Sequence, residues 1–278
     1  MHPTANHLIQ LQELILVREE HRVASGPDHF EQINDAITSM TEKLPADIRA
    51  KFEKMHKKDQ NVIVPVSDGN CAVCGIQLPR SLVQQVRFAT ELQSCPSCAR
   101  FLYAADSAAR NVKKRPGRFE AQKVGISRFS AESLMLLDLD ATGKDGVIEA
   151  MALQMEKEGF VDKGDALVEE ALRREALYST AVDHGLAFPH VRGVEGGALT
   201  LSVALFKDGV HFDGPKGPLT HIVFFMMIPT SASAFYLKLL AGLTETFMAE
   251  DARKALLASK TQTEMWKTLV KVTRKYIK

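Results

Sequence analysis

The sequence predicts a multidomain chain: an α-helical hairpin joined to a small cysteine-held metal ribbon, then an α/β domain whose sheet is covered by helices on both faces. Three observations predict it. The N-terminal residues carry apolar stripes at helical spacing, the four cysteines form two pairs between Cys71 and Cys98, and beyond Gly143 helical stripes alternate with strand-like apolar runs. At 278 residues the chain exceeds the roughly 100–200 residues of one ordinary domain, which favours two.

From Leu8 to Val23 the apolar residues Leu8, Leu11, Leu14, Ile15 and Leu16 crowd one helical face. Ser25-Gly26-Pro27-Asp28 breaks the stripe, and Ile33, Ile37, Met40 and Leu44 resume it in steps of three and four. Two antiparallel helices joined by that turn bury these stripes against each other. Pro45 interrupts the second helix or restarts it at a first-turn position, and Ile48, Phe52 and Met55 carry the face onward. Asn61 to Val66 reads as a short strand leading into the first cysteine pair. Arg110 to Arg128 contains Lys113-Lys114-Arg115-Pro116-Gly117-Arg118, has a basic excess and lacks hydrophobic period, which marks a linker.

Beyond it, Val147 to Met155 and Asp165 to Ala176 read as helices, and Leu199 to Phe206 and His221 to Ile228 as strands. Thr230-Ser231 opens a long helix through Leu237, Leu240, Ala241 and Phe247, and Thr261 with Glu264 makes a capping box before the terminal helix. This alternation is that of a sheet covered on both faces. The expected division is therefore a hairpin over 1–60, a ribbon over 61–103, a basic linker over 104–130 and the α/β domain over 131–278.

The hydrophobic share is 45% and the formal net charge +1, so bulk charge points to neither nucleic acid nor membrane as partner. No run of about 18 apolar residues occurs, which excludes membrane insertion through a helix. The start, Met1-His2-Pro3-Thr4 followed by Gln10, Glu13 and Arg18, lacks the basic patch and apolar core of a secretion signal. With the cysteines confined to one short segment, a reducing, cytoplasmic setting is expected.

Cys71-x-x-Cys74 and Cys95-x-x-Cys98 have the spacing of a tetrahedral zinc site. Each CxxC turn presents two thiolates, and a spacer of about twenty residues brings the turns together. Four thiolates leave no open coordination position, so the expected Zn2+ is structural. Paired redox motifs or an iron site are the rival readings, but neither CxxC opens a helix of a thioredoxin-like unit. Zinc binding contributes about 10–16 kcal/mol, enough to fold a segment too small to fold alone.

The helical hairpin, Leu44-Pro45 through Phe52, Gly69-Asn70-Cys71-Ala72-Val73-Cys74, Leu78-Pro79 and Cys95-Pro96-Ser97-Cys98-Ala99-Arg100-Phe101-Leu102-Tyr103 together resemble the bacterial C4-type zinc-ribbon family. The resemblance covers roughly the first hundred residues. It implies a coiled-coil hairpin with a zinc ribbon, a module that contacts protein or, less favoured, nucleic acid. The hairpin here is short for the family, and Ala99 stands where a glycine is usual. Arg80, Arg87 and Arg100 with Phe88, Phe101 and Tyr103 form either a basic, aromatic binding surface or hairpin packing with solvated arginines, and both readings stay open. So does a homodimer through the N-terminal helices.

In the C-terminal part, His190 follows Pro189, whose φ is fixed, and Phe188, which is driven towards an extended conformation. An imidazole on such a stiff frame can be aimed. A neutral imidazole nitrogen is a competent nucleophile towards phosphorus. When such a nitrogen accepts a phosphoryl group, the protein must mainly align the reacting groups and balance charge on the phosphoryl oxygens. A guanidinium does this, since it forks onto phosphate and stays charged.

Arg174-Glu175, Ser179-Thr180, Gly185-Leu186-Ala187-Phe188-Pro189-His190, the strands at Leu199 and His221, then Pro229 and the Leu237-Lys238-Leu239-Leu240 helix resemble the enzyme IIA family of the fructose, mannitol and nitrogen-related phosphotransferase branch. The resemblance runs from about Ala141 to the last residue. It implies a mixed sheet with helices on both sides, a phosphohistidine relay protein of the phosphotransferase class, His190 as acceptor of phosphate from an HPr-like phosphocarrier, and Arg174 as its charge partner. Where the family often carries a second histidine, this chain has Tyr236. A phenol is neutral with a pKa near 10 and supplies no cation, which bears on onward donation of the phosphate. His184 is at most an edge residue of the site, and His211 and His221 read as surface or partly buried residues flanking strands.

Two functions are expected on this basis. One is a regulatory phosphocarrier, in which phosphate on His190 changes what the hairpin and ribbon bind. The other is a non-catalytic interaction or scaffold protein with a degenerate IIA fold, favoured by Tyr236.

Overall fold

The computed structural model describes residues 2–25, 31–104, 123–137, 139–194, 199–214, 217–229 and 232–278. The chain divides into two compact units, Met1–Ser107 and Ala108–Lys278.

The first unit opens with α1 (Pro3–Ser25), α2 (Glu31–Glu42) and α3 (Ala46–His56). Of the two readings at Pro45, the restart is the one that forms, and it makes a third helix. Pro45, with φ −51°, is the N-cap of α3: it lacks the N–H that would continue α2 but suits a helix start. There follow β1 (Ile63–Ser67), β2 (Asn70–Cys71), α4 (Arg80–Phe88), β3 (Gln93–Ser94) and β4 (Phe101–Ala104). The strands form one sheet in the order β2-β1-β4-β3, with β1 and β4 parallel and both outer pairs antiparallel.

Strand alternation gives this small sheet two apolar faces. Ile63 and Phe101, paired across β1 and β4, pack with Ala5, Leu8, Leu11, Ile15 and Phe52 of the helices. The next pair, Val64 and Leu102, packs with Leu78, Val86, Cys71 and Cys95. Gln12, buried on α1, ties the two parts together: its carbonyl accepts from the Val62 and Ile63 N–H groups at 2.6 and 3.0 Å, and its amide donates to Ile63 O at 3.1 Å. The expected division at residue 60 therefore does not separate two cores, because helices and strands share one.

The second unit begins before the expected boundary. A 3-10 turn at Gly125–Arg128 buries Ile126, and the Ser130 hydroxyl donates to Leu201 O at 2.7 Å. The linker expected over 104–130 is thus structured at both ends, since Ala104 belongs to β4; residues 105–122 lie outside the described residues.

The elements that follow are β5 (Met135–Leu137), α5 (Gly143–Lys157), α6 (Gly164–Glu175), β6 (Ala181–Val182), β7 (Leu186–Ala187), β8 (His190–Val194), β9 (Thr200–His211), β10 (Leu219–Pro229), α7 (Ser233–Met248), α8 (Glu250–Leu257) and α9 (Gln262–Thr273). The sheet is mixed, in the order β5-β9-β10-β7-β6, with β8 also on β10. Residues 200–206 of β9 and 222–229 of β10 are buried without a break, and because alternate side chains leave opposite faces, both faces are covered. Thr230-Ser231, expected to open the long helix, lie outside the described residues, and α7 has Ala232 as its N-cap. The capping box before α9 is offset by one: Thr261 Oγ1 accepts from Glu264 N at 3.2 Å, but the Glu264 carboxylate accepts from Lys260 N at 2.9 Å rather than from Thr261. No helix among the described residues is long and apolar enough to cross a membrane.

Candidate functional site

In the second unit, β7 and β8 lie end to end along β10, both parallel to it. Phe188 and Pro189 span the gap: Phe188 N donates to Thr180 O at 3.0 Å, and Pro189 O accepts from Met226 N at 2.9 Å. This pins the extended Phe-Pro step at both ends and makes His190 the first residue of β8, opposite Met226 of the central strand. Three residues on, the register with β10 slips by one at Gly193, whose φ of +77° is a conformation glycine adopts without strain.

His190 is 2% exposed, but its ring nitrogens face polar groups. Nδ1 lies 3.0 Å from Phe188 O and 3.3 Å from the Tyr236 hydroxyl, and Arg174 Nε lies 3.3 Å from Nε2. These contacts define the tautomer. A carbonyl only accepts and a guanidinium only donates, so in the neutral ring Nδ1 carries the proton and Nε2 the lone pair. The nitrogen able to attack an electrophile is therefore the one facing the arginine.

Arg174 is held in the last turn of α6, where Nη1 also donates to Tyr178 O at 3.0 Å. Its neighbour Glu175 is buried and fixes the loop into β6: its two carboxylate oxygens accept from Thr180 N at 2.9 Å and Thr180 Oγ1 at 2.7 Å. Tyr236, fully buried near the start of α7, tilts towards His190 with ring centroids 5.1 Å apart. His190, Arg174 and Tyr236 are thus brought together.

The other histidines stand apart. His184 is exposed, in a left-handed conformation with φ 69°, and His211 is exposed. His221 Nδ1 meets Phe206 O at 3.0 Å, a contact between neighbouring strands. Sequence reasoning missed one residue of this neighbourhood. The Arg192 guanidinium carbon lies 4.7 Å from the centroid of the Tyr236 ring, and only its spacing of two from His190 along a strand could have signalled it.

In the first unit, the Sγ atoms of Cys71, Cys74, Cys95 and Cys98 all lie within 4.8 Å of one another, with Cys71–Cys98 and Cys74–Cys95 each 3.7 Å apart. That is too far for disulfides, with S–S near 2.05 Å. It matches the edge of a tetrahedron with metal–sulfur bonds of about 2.3 Å, which is about 3.8 Å. The two turns are built alike. Gly75 N donates to Cys71 O and Ala99 N to Cys95 O, both at 2.9 Å, while Cys71 N and Cys95 N donate to Ile76 O and Arg100 O. Gly75 and Ala99 both take positive φ, 72° and 61°, so the alanine occupies a left-handed position. Four cysteines so placed can hold a metal ion.

Burial pushes the Cys71 thiol up to about 12 and raises Cys95. Burial also pushes Cys98 upward, but the Arg100 backbone N–H and guanidinium outweigh it and hold this thiol at about 6. Arg100 in turn bonds Asp59 at 2.5 Å and Asn61 O at 2.8 Å. Of the residues considered for a basic, aromatic surface, Arg100 and Phe101 are therefore structural, the latter buried under Lys51 Nζ at 4.3 Å; Arg80, Arg87 and Phe88 are exposed.

Residues 128–272, just over half of the chain, match the family described as phosphoenolpyruvate-dependent sugar phosphotransferase system, EIIA 2. A fructose-specific EIIA component from Haloferax volcanii is 26% identical over 147 residues, covering 53% of this chain and 96% of that protein. A fructose-specific EIIABC component from Bacillus subtilis is 27% identical over 137 residues, covering 49% of this chain but only 22% of that longer protein. Among solved structures, nitrogen regulatory protein IIA-Ntr from Neisseria meningitidis is 25% identical and aligns over 51% of this chain and 97% of its own, with a TM-score of 0.47. With the family match over residues 128–272, which spans the mixed sheet and the arginine-faced histidine after proline, the chain belongs to the EIIA type-2 family of the phosphoenolpyruvate-dependent sugar phosphotransferase system.

Proposed function

We propose that this protein is a regulatory phosphocarrier that accepts a phosphoryl group on His190 Nε2 from an HPr-like donor and couples that state to a zinc-ribbon binding module. The observation that carries the reading is the pair of contacts on the ring: Phe188 O at Nδ1 and Arg174 Nε at Nε2. Nε2 attacks phosphorus as the P–N bond of the donor histidine breaks and its electron pair returns to the donor ring. Nδ1 keeps its proton throughout, and the imidazolium formed is stabilised by Phe188 O and the Tyr236 oxygen. Arg174 Nε leaves the lone pair as attack begins and turns to the phosphoryl oxygens, where its charge offsets theirs.

Cys71, Cys74, Cys95 and Cys98 would hold Zn2+ as four thiolates, which supplies structure and no open site for chemistry. On this reading the helices and cysteine-bearing strands of the first unit together meet a protein partner, the segment between the two units tethers them to the IIA-like domain, and the setting is cytoplasmic.

Incubation with labelled phosphoenolpyruvate, enzyme I and HPr tests it. An acid-labile, base-stable label that disappears in His190→Ala is expected. An unlabelled wild type favours the second reading, a scaffold with a retained IIA fold, for which the neutral Tyr236 is the specific support.

A further inference from the structure

A phosphoryl group on His190, a residue 2% exposed, brings three oxygens and roughly two negative charges, against which the imidazolium and Arg174 each carry one positive charge. Tyr236, neutral, offsets none. The ring of Tyr236 nevertheless carries a cation on its face, because the Arg192 guanidinium carbon lies 4.7 Å from its centroid, inside the range of a cation–π contact. The hydroxyl of the same phenol is 3.3 Å from His190 Nδ1, and its ring centroid is 5.1 Å from that of the imidazole. Arg192 follows His190 by two in β8, ahead of the slip at Gly193, so both side chains leave one face of the strand and converge on Tyr236.

We infer that Arg192, held on the face of Tyr236, is a second guanidinium that holds the phosphoryl oxygens on His190, with Tyr236 as its positioning residue. The inference rests on His190 as the acceptor, but not on which donor serves it. Arg174 meets the phosphoryl oxygens from α6 and Arg192 from β8, so three oxygens are shared between two guanidiniums from separate elements. Arginine suits this place better than lysine, because its planar head stacks on an aromatic face and still presents N–H groups to oxygen. Being charged at every accessible pH, it also removes any need for a titrating partner in the site.

The test uses the full chain and potassium phosphoramidate, a small phosphoryl donor of histidine that bypasses HPr, alongside the enzyme I and HPr assay. Arg192→Gln and Tyr236→Ala are expected to slow labelling of His190 on the order of tenfold, a value kept modest because Arg192 is half-exposed. Tyr236→Phe, which keeps the ring, is expected to stay within about threefold of wild type. Arg192→His separates charge from structure: its rate relative to wild type should fall as pH rises from about 6 to 8 and the new imidazole loses its charge. Arg192→Gln labelling at the wild-type rate, or an Arg192→His ratio flat with pH, overturns the inference. Wild type labelled by phosphoramidate but not by HPr, with Arg192→Gln impaired, keeps the inference and removes the proposed donor; a wild type labelled by neither removes both.

Discussion

Arg174→Gln keeps much of the side-chain volume and removes the charge that faces His190 Nε2 at 3.3 Å. At a separation of about 4 Å and an effective dielectric near 20, one guanidinium stabilises one unit of phosphoryl charge by about 4 kcal/mol. The resting state gives up, in exchange, a charge-assisted hydrogen bond to Nε2 of about 1.5–3 kcal/mol. The difference, about 1–2.5 kcal/mol, corresponds to phosphorylation slower by roughly 5- to 70-fold. Single-turnover labelling of the variant by phosphorylated HPr, followed by rapid quench, reads this directly. The loop into β6 should survive, because Glu175 and Thr180 hold it independently, and an unchanged thermal midpoint checks that. A folded Arg174→Gln protein labelled within twofold of wild type would refute the reasoning.

Three further outcomes follow from the first unit. Ala99→Gly should stabilise the chain by about 0.5–1 kcal/mol in urea unfolding, since a left-handed alanine costs about 1–2 kcal/mol and glycine returns part of that through the freer unfolded chain; a loss of stability would contradict the assigned turn. Zinc affinity measured by chelator competition should rise from pH 6 to pH 8. Cys98, held at about 6, is already a thiolate through most of that range, whereas Cys71, at about 12, must release its proton to the solvent on binding. A pH-independent affinity would count against a four-thiolate site. His56 is half-buried against Phe52, and burial, then Arg18, hold its pKa below 6.5. Its folded value lies under the unfolded one, so the stability linked to the neutral ring is present above about pH 6.5 and is lost as pH falls through the lowered value. Wild type should therefore weaken more than His56→Gln between pH 7.5 and 5.5, and equal losses would discard this assignment.

Much of the fold was legible because local chemistry wrote it into short windows. The CxxC pairs, the Thr261–Glu264 cap, the apolar runs of β9 and β10 and the stiff Phe188-Pro189 step each depend on residues within a few positions. The pieces that escaped depend on contacts between distant residues. Gln12 reads as an ordinary polar residue of a helix, yet it satisfies the backbone at Val62 and Ile63 some fifty positions away, and that contact ties the N-terminal helices to the strands of the first unit. Strands β6 and β7 have two residues each and leave no period to detect. In the site, His190 and Arg174 were readable through motif and chemistry. Arg192 was not, because its partner Tyr236 lies on another element and stacking leaves no mark in either local sequence.

The central claim is a phosphoryl bond to one named nitrogen, and NMR of the 15N-histidine-labelled chain after phosphorylation reads it most directly. A one-bond 31P–15N coupling at Nε2 of His190, with Nδ1 still bearing a proton shared with Phe188 O, is the predicted result. Phosphate on Nδ1, or on any histidine other than His190, contradicts it.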